Sequence, residues 1–183
     1  MSTIALKRTS IKMKAITAAL AVVTAVALPQ LFHAAGVISG AGAALGSAFL
    51  PMHLPVLLAG LLGGPIVGIV AGAASPLISF LISGMPAAGM LPFITLELAA
   101  YGVAGGFLSK TKLPVFAKLL LIQLAGRAVR ALAVAAAVYG FGSSAVQISS
   151  VWTMVTAGLP GILLQWALIP LLMYRLEGMK NHD

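Results

Sequence analysis

Between residues 11 and 174 the chain carries six apolar runs, each bounded by glycine, proline or charge, and this pattern restricts the fold more than any single motif does. The runs are Ile11 to Leu28, about Ala48 to Leu62, Pro65 to Ile82, Met90 to Leu108, Pro114 to Tyr139 and Val151 to Tyr174. A helix needs about 20 apolar residues to cross the hydrocarbon of a bilayer. Inside lipid every backbone amide must find its partner within the protein, which leaves helices or closed barrels as the possible spans. Runs of this length with glycine and proline at their edges read as helices. The expected fold is therefore all-α: a polytopic membrane protein, a bundle of six transmembrane helices in one integral membrane domain covering residues 1–183.

Composition excludes the soluble alternatives. Hydrophobic residues make up 61% of the chain and charged residues 8%, against about a quarter charged in a soluble domain. The net charge of +8 is not grouped on a solvated surface with stacking aromatics, so nucleic acid is not an expected partner. There is no cysteine, hence no disulfide framework, thiolate metal site or cysteine nucleophile.

The charges sort by side. Lys7, Arg8, Lys12, Lys14, Lys110, Lys112, Lys118, Arg175 and Lys180 all fall at one face of the expected bundle, which the positive-inside rule makes cytoplasmic, with both termini on that side. The N-terminal stretch also has the form of a secretory signal, with a small-residue site near Ala34 and Ala35. The later spans already commit the chain to the membrane, so the first run is assigned a structural role. Among the connections, Gly36 to Gly46 is glycine-rich and has no following Lys-Ser/Thr, so it reads as a flexible outer loop or lid.

Three charges lie within the apolar runs: Glu97 in the fourth, and Arg127 and Arg130, spaced i,i+3, in the fifth. Ionisable groups at that depth pair with one another or face an aqueous cavity, and they mark functional sites by default. One carboxylate can neutralise only one of the two guanidiniums. The surplus arginine either completes a structural cluster or awaits an anionic ligand, which a guanidinium grips bidentately when it is a carboxylate. His53 sits near the depth of Glu97 in Leu50-Pro51-Met52-His53-Leu54-Pro55, without another ligand at metal spacing, and is expected to hydrogen-bond a neighbour or substrate. Gln165 and Trp166 add polar groups to the last helix and Gln123 to the fifth, while Trp152 reads as an interfacial belt residue. No carboxylate pair, nucleophile elbow or phosphate loop is present, so neither catalysis nor a cofactor or metal is expected.

On the first helix Ala15 and Ala19 form one small-residue stripe, and Ala21 with Ala25 forms a second. Small residues let helices approach closely in lipid. Internal packing and docking of another membrane subunit both account for such stripes.

At Pro51-Met52-His53-Leu54-Pro55-Val56-Leu57-Leu58-Ala59-Gly60, Gly63-Gly64-Pro65, Ser75-Pro76-Leu77-Ile78-Ser79, Gly84-Met85-Pro86 and Glu97-Leu98-Ala99-Ala100-Tyr101-Gly102, the chain resembles the substrate-binding S components of energy-coupling factor vitamin transporters. The resemblance implies a multi-pass protein of a bacterial plasma membrane that captures a water-soluble vitamin or precursor from outside. It further implies docking on a transmembrane coupling subunit with two cytoplasmic ATPases, through an Ala-x-x-x-Ala face on helix one. Both alanine registers match that face. His53, Glu97, Arg127, Arg130, Gln165 and Trp166 are the candidate substrate-binding residues. The surplus arginine favours a monocarboxylate such as pantothenate, with a neutral pyrimidine or thiazole precursor as the alternative. Two other readings are a structural or assembly membrane protein and, from the internal Met52-His53 pair, a transition-metal uptake subunit.

Overall fold

The computed structural model describes residues 10–180, with side chains described through Arg175. Lys7 and Arg8, and the side chain of Lys180, lie outside the described residues. The described chain is helical, with no strand among the described residues. The elements are α1 (Ile11–Ser39), α2 (Ala44–Phe49), α3 (His53–Gly63), α4 (Pro65–Ser83), α5 (Leu91–Leu108), α6 (Val115–Ala135), α7 (Ser149–Ala157) and α8 (Leu159–Lys180). A π turn over Ala136–Gly140 prolongs α6. Five spans are long and apolar enough to cross a membrane, six if α7 and α8, bent by 52° at Gly158, count as one.

The first helix departs most from expectation. It runs 29 residues to Ser39 rather than ending at Leu28, a length of about 44 Å at 1.5 Å per residue. Ser10 caps its start by accepting from the Met13 amide at 3.3 Å. Pro29 sits inside it and removes one ladder hydrogen bond without ending the helix. The glycine-rich stretch is mostly helix and tight turn rather than an open loop: Gly36 belongs to α1, and Gly46 to α2. The Gly42 amide donates to the Gly36 carbonyl at 2.9 Å. A Cβ on Gly36 would lie 2.0 Å from that turn's backbone, so glycine is what lets the chain fold back on the helix.

Two other expected single helices are each broken. The second run is divided between α2 and α3 by Leu50, which takes φ 48°, followed by Pro51. The last run is divided between α7 and α8 at Gly158. Gly161 of α8 lies where a Cβ would meet the Phe49 backbone at 2.5 Å, which seats α8 against the end of α2.

The middle of the bundle is held by backbone-to-backbone packing of α3, α4 and α5. A Cβ on Gly102 would come 2.0 Å from the Gly68 carbonyl oxygen, and one on Gly60 would come 2.6 Å from that of Gly102. Farther along α4, one on Gly72 would come 2.2 Å from the carbonyl of Leu98. In lipid such contacts stand in for the hydrophobic drive that water provides elsewhere. Around them Val56, Leu57, Leu98, Tyr101 and Ile122 are buried, while Leu20, Leu81, Phe107 and Leu163 point outward. An apolar exterior around small-residue seams is the arrangement a membrane-embedded bundle requires.

The two alanine stripes separate. Ala15 and Ala19 are exposed, whereas Ala25 is fully buried and Ala21 packs against the core. The Ala21–Ala25 register is therefore occupied by this chain's own packing, because those positions face α3 and α4 rather than the exterior.

A charged cavity at one end of the bundle

Glu97 on α5 is fully buried and engages three neighbours. Its Oε1 accepts from the Tyr101 hydroxyl at 3.1 Å and pairs with Arg127 Nη1 at 3.0 Å. Its Oε2 accepts from Arg130 Nη1 at 2.7 Å. Tyr101, one turn after Glu97, lies over Gly126 of α6, where any Cβ would be 2.0 Å from the ring. The missing side chain thus gives the tyrosine its resting place and aims its hydroxyl at the carboxylate. His53, at the start of α3, stacks edge-on against Tyr101 with ring centroids 5.5 Å apart. Its Nε2 is 3.9 Å from Glu97 Oε1, beyond hydrogen-bonding distance.

The cluster carries a net positive charge. Two guanidiniums share one carboxylate, and Glu97 is the sole acidic residue between residues 10 and 175. Several polar atoms in it have no partner: both ring nitrogens of His53 and Nε of Arg130 are buried without a hydrogen bond. An orphaned buried donor costs about 1–3 kcal/mol. Arg130 Nη2 is placed against the thioethers of Met90 and Met154, which are weak acceptors.

Beside this cluster lies a cavity of about 430 Å³, within the range of small-molecule sites. His53, Arg127 and Arg130 supply its charged and polar side. The end of α1 contributes Pro29 and His33, and α2 contributes Gly46 and Ser47. The α4–α5 connection and α7 close it with Met85, Pro86, Thr153 and Met154. The cavity thus sits where α1, α4 and α6 end and where α3 and α5 begin. Lys12, Lys14, Lys110, Lys112 and Arg175 lie at the opposite ends of their elements.

Of the residues singled out from sequence, His53, Arg127 and Arg130 line the cavity, and Glu97 holds both arginines in place behind it. Gln165 and Trp166 are elsewhere. Gln123 Nε2 donates to Gln165 Oε1 at 3.0 Å, and Trp166 Nε1 donates to Gln123 Oε1 at 2.7 Å, forming a separate polar clamp between α6 and α8. Neither Gln165 nor Trp166 lines the cavity: the Trp166 indole N–H is taken up by Gln123, and Gln165 is buried in the clamp with its Nε2 left without a hydrogen bond. Trp152 is exposed on α7. His33, distant from His53 in sequence, shares the cavity with it, but no cluster of three or more metal-ligating His, Cys, Asp or Glu occurs among the described residues.

Sequence reasoning missed Tyr101 as a partner of Glu97 and, apart from Met52, the methionines of the cavity wall. Tyr101 carried a signal, since it stands i+4 from Glu97 and so shares its helix face. Met85, Met90 and Met154 carried none, because a cavity-lining thioether in an apolar sequence looks like a core residue.

The arrangement defines a membrane-embedded helical bundle with a positively charged, partly unsatisfied cavity near one end. No family model, curated protein or solved structure matches the chain.

Proposed function

We propose that this chain is the substrate-capture component of an energy-coupling factor type importer, taking up a small water-soluble monocarboxylate. The observation that carries the reading is the cavity beside two arginines that share one acid, with His53 and Arg130 atoms still lacking partners. A ligand carboxylate would neutralise the excess charge, and a polar group on the ligand would serve His53. Of the trio, Arg127 has the most exposed side chain, 15% against 3% for Arg130 and none for Glu97. Arg127 is therefore the contact through which the anion is held.

In this reading α7 and α8 form the sixth span, and the basic ends face the cytoplasm with both termini. The cavity then opens outward, as capture from outside requires. The membrane is a bacterial plasma membrane, and the partners are the coupling subunit and its two ATPases.

Calorimetry on the purified chain with a panel of monocarboxylates that includes pantothenate tests the proposal. At least one member is expected to bind, and Arg127→Gln to weaken that binding by about 10- to 100-fold, the worth of a hydrogen bond to a charged group. The fold should survive, since Arg127→Gln leaves Glu97 paired with Arg130 in a neutral couple. Failure of the whole panel to bind would sink the proposal.

Docking is placed on the exposed Ala15 and Ala19. Ala19→Phe is expected to abolish co-purification with the coupling subunit and leave ligand affinity unaltered. Undiminished co-purification would remove that face from the assembly.

A second reading is favoured by one observation: every oxygen of Glu97 is already engaged within the protein. The trio would then serve only to fix the register of α5 against α6 in an assembly protein. The same panel decides, since that role predicts no ligand.

A further inference from the structure

We infer that the cavity selects a monocarboxylate with an aromatic or heteroaromatic body, its ring held among thioethers and its carboxylate on Arg127. This rests on the capture reading above and narrows it.

Half of the chain's eight methionines converge here: Met52, Met85, Met90 and Met154 all line the cavity, although they come from three separate segments, the α2–α3 connection, the α4–α5 connection and α7. Branched aliphatic side chains are sparse by comparison, with Leu50 and Ile94 alone among the lining residues and no valine. The wall holds no phenylalanine, tyrosine or tryptophan among the described residues, so no protein ring stacks with these sulfurs from the lining itself.

Thioethers gain more from a π system than from a saturated chain, because the polarisable sulfur is attracted to the ring and its edge. A guanidinium likewise stacks on an aromatic face as readily as it grips a carboxylate. A saturated ligand of the same size would bury equal area but forfeit both contributions. The charge argument fixes one end of the ligand and the sulfur-rich wall fixes the other: one negative charge attached to a flat, polarisable body. The volume of about 430 Å³ lies toward the small end for ligand sites, which suits a single or fused ring rather than a large conjugate.

The test pairs two anions of matched size and charge, benzoate and cyclohexanecarboxylate, with nicotinate as a heteroaromatic probe and pantothenate as an open-chain one. Binding to the purified full chain is measured by calorimetry. Benzoate or nicotinate is expected to bind at least about tenfold more tightly than cyclohexanecarboxylate, the combined effect of two or three sulfur–ring contacts. In the double variant Met85→Leu, Met154→Leu, a volume-conserving change that cores tolerate, that preference should fall several-fold. Cyclohexanecarboxylate measured in the same variant sets the baseline, so the readout is the ratio of the two affinities rather than either one alone. Equal affinity of the ring pair in the unaltered chain, or a preference undiminished in the double variant, overturns the aromatic assignment and leaves carboxylate capture standing. Failure of all four anions to bind overturns both.

Discussion

Replacing Glu97 with alanine is expected to eliminate most of the folded protein. Arg130 is 3% exposed and would lose the carboxylate that accepts from its Nη1. Arg127, 3.0 Å from the same acid, would be left facing another cation with no counter-ion. Removing one partner of a buried ion pair costs about 3–5 kcal/mol, a large share of the roughly 5–15 kcal/mol that holds a typical domain folded. Tyr101 would lose its acceptor as well. The measurement is the yield of monodisperse protein and its thermal unfolding in detergent.

A compensated variant makes the cause legible. Changing Glu97, Arg127 and Arg130 all to methionine removes every charge together, and apolar replacement of a whole buried ionic cluster is often neutral or stabilising. That triple variant should recover the fold and bind no carboxylate. Normal stability of Glu97→Ala, or no recovery in the triple variant, would refute the view that charge balance governs this part of the bundle.

The second large effect is expected at the α4–α5 crossing. A methyl group on Gly102 would stand 2.0 Å from the Gly68 carbonyl oxygen, and the obstacle is backbone, which cannot rotate away. Gly102→Ala must therefore push α4 and α5 apart, and with them the face that carries Glu97 and Tyr101. Overpacking costs about 1–3 kcal/mol and occasionally more, and here the upper end applies because two helices move rather than one side chain. The expected result is a sharp loss of folded material on size-exclusion chromatography. Gly140→Ala provides the control, since a Cβ there meets nothing within 4 Å. Equal behaviour of the two variants would mean that close helix approach contributes little.

Much of this was visible in the sequence because the bilayer leaves so few options. Runs of apolar residues could only be helices, and Glu97, Arg127 and Arg130 stood out because charge is costly within them. Their meeting followed from there being a single acid to share. Less was visible where one residue type serves opposite purposes. Glycine at 36, 40 and 42 suggested a loose loop, yet it closes a tight cap on a longer helix. The alanines at 15 and 19 and those at 21 and 25 have the same spacing, and only the position of the neighbouring helices shows that one pair faces inward. Gln165 and Trp166 read from sequence as polar groups facing a ligand, because nothing in their own segment revealed the clamp with Gln123 that places them away from the cavity.

The two poles of the molecule differ in stiffness. At the basic pole, Gly63 and Gly64 join α3 directly to α4, and α5 leaves its close crossing with them intact to its last turns. At the cavity pole lie the Leu50 break, the π turn and the irregular 141–148 stretch, which Val146 anchors against Phe93 and Val134. Non-helical backbone is tolerated at such depth only where protein or a wet space receives it, and segments with few shared hydrogen bonds open at the lowest free energy. Local opening is therefore expected to concentrate around the cavity's rim, read as faster amide exchange there than in the half sealed by glycine contacts.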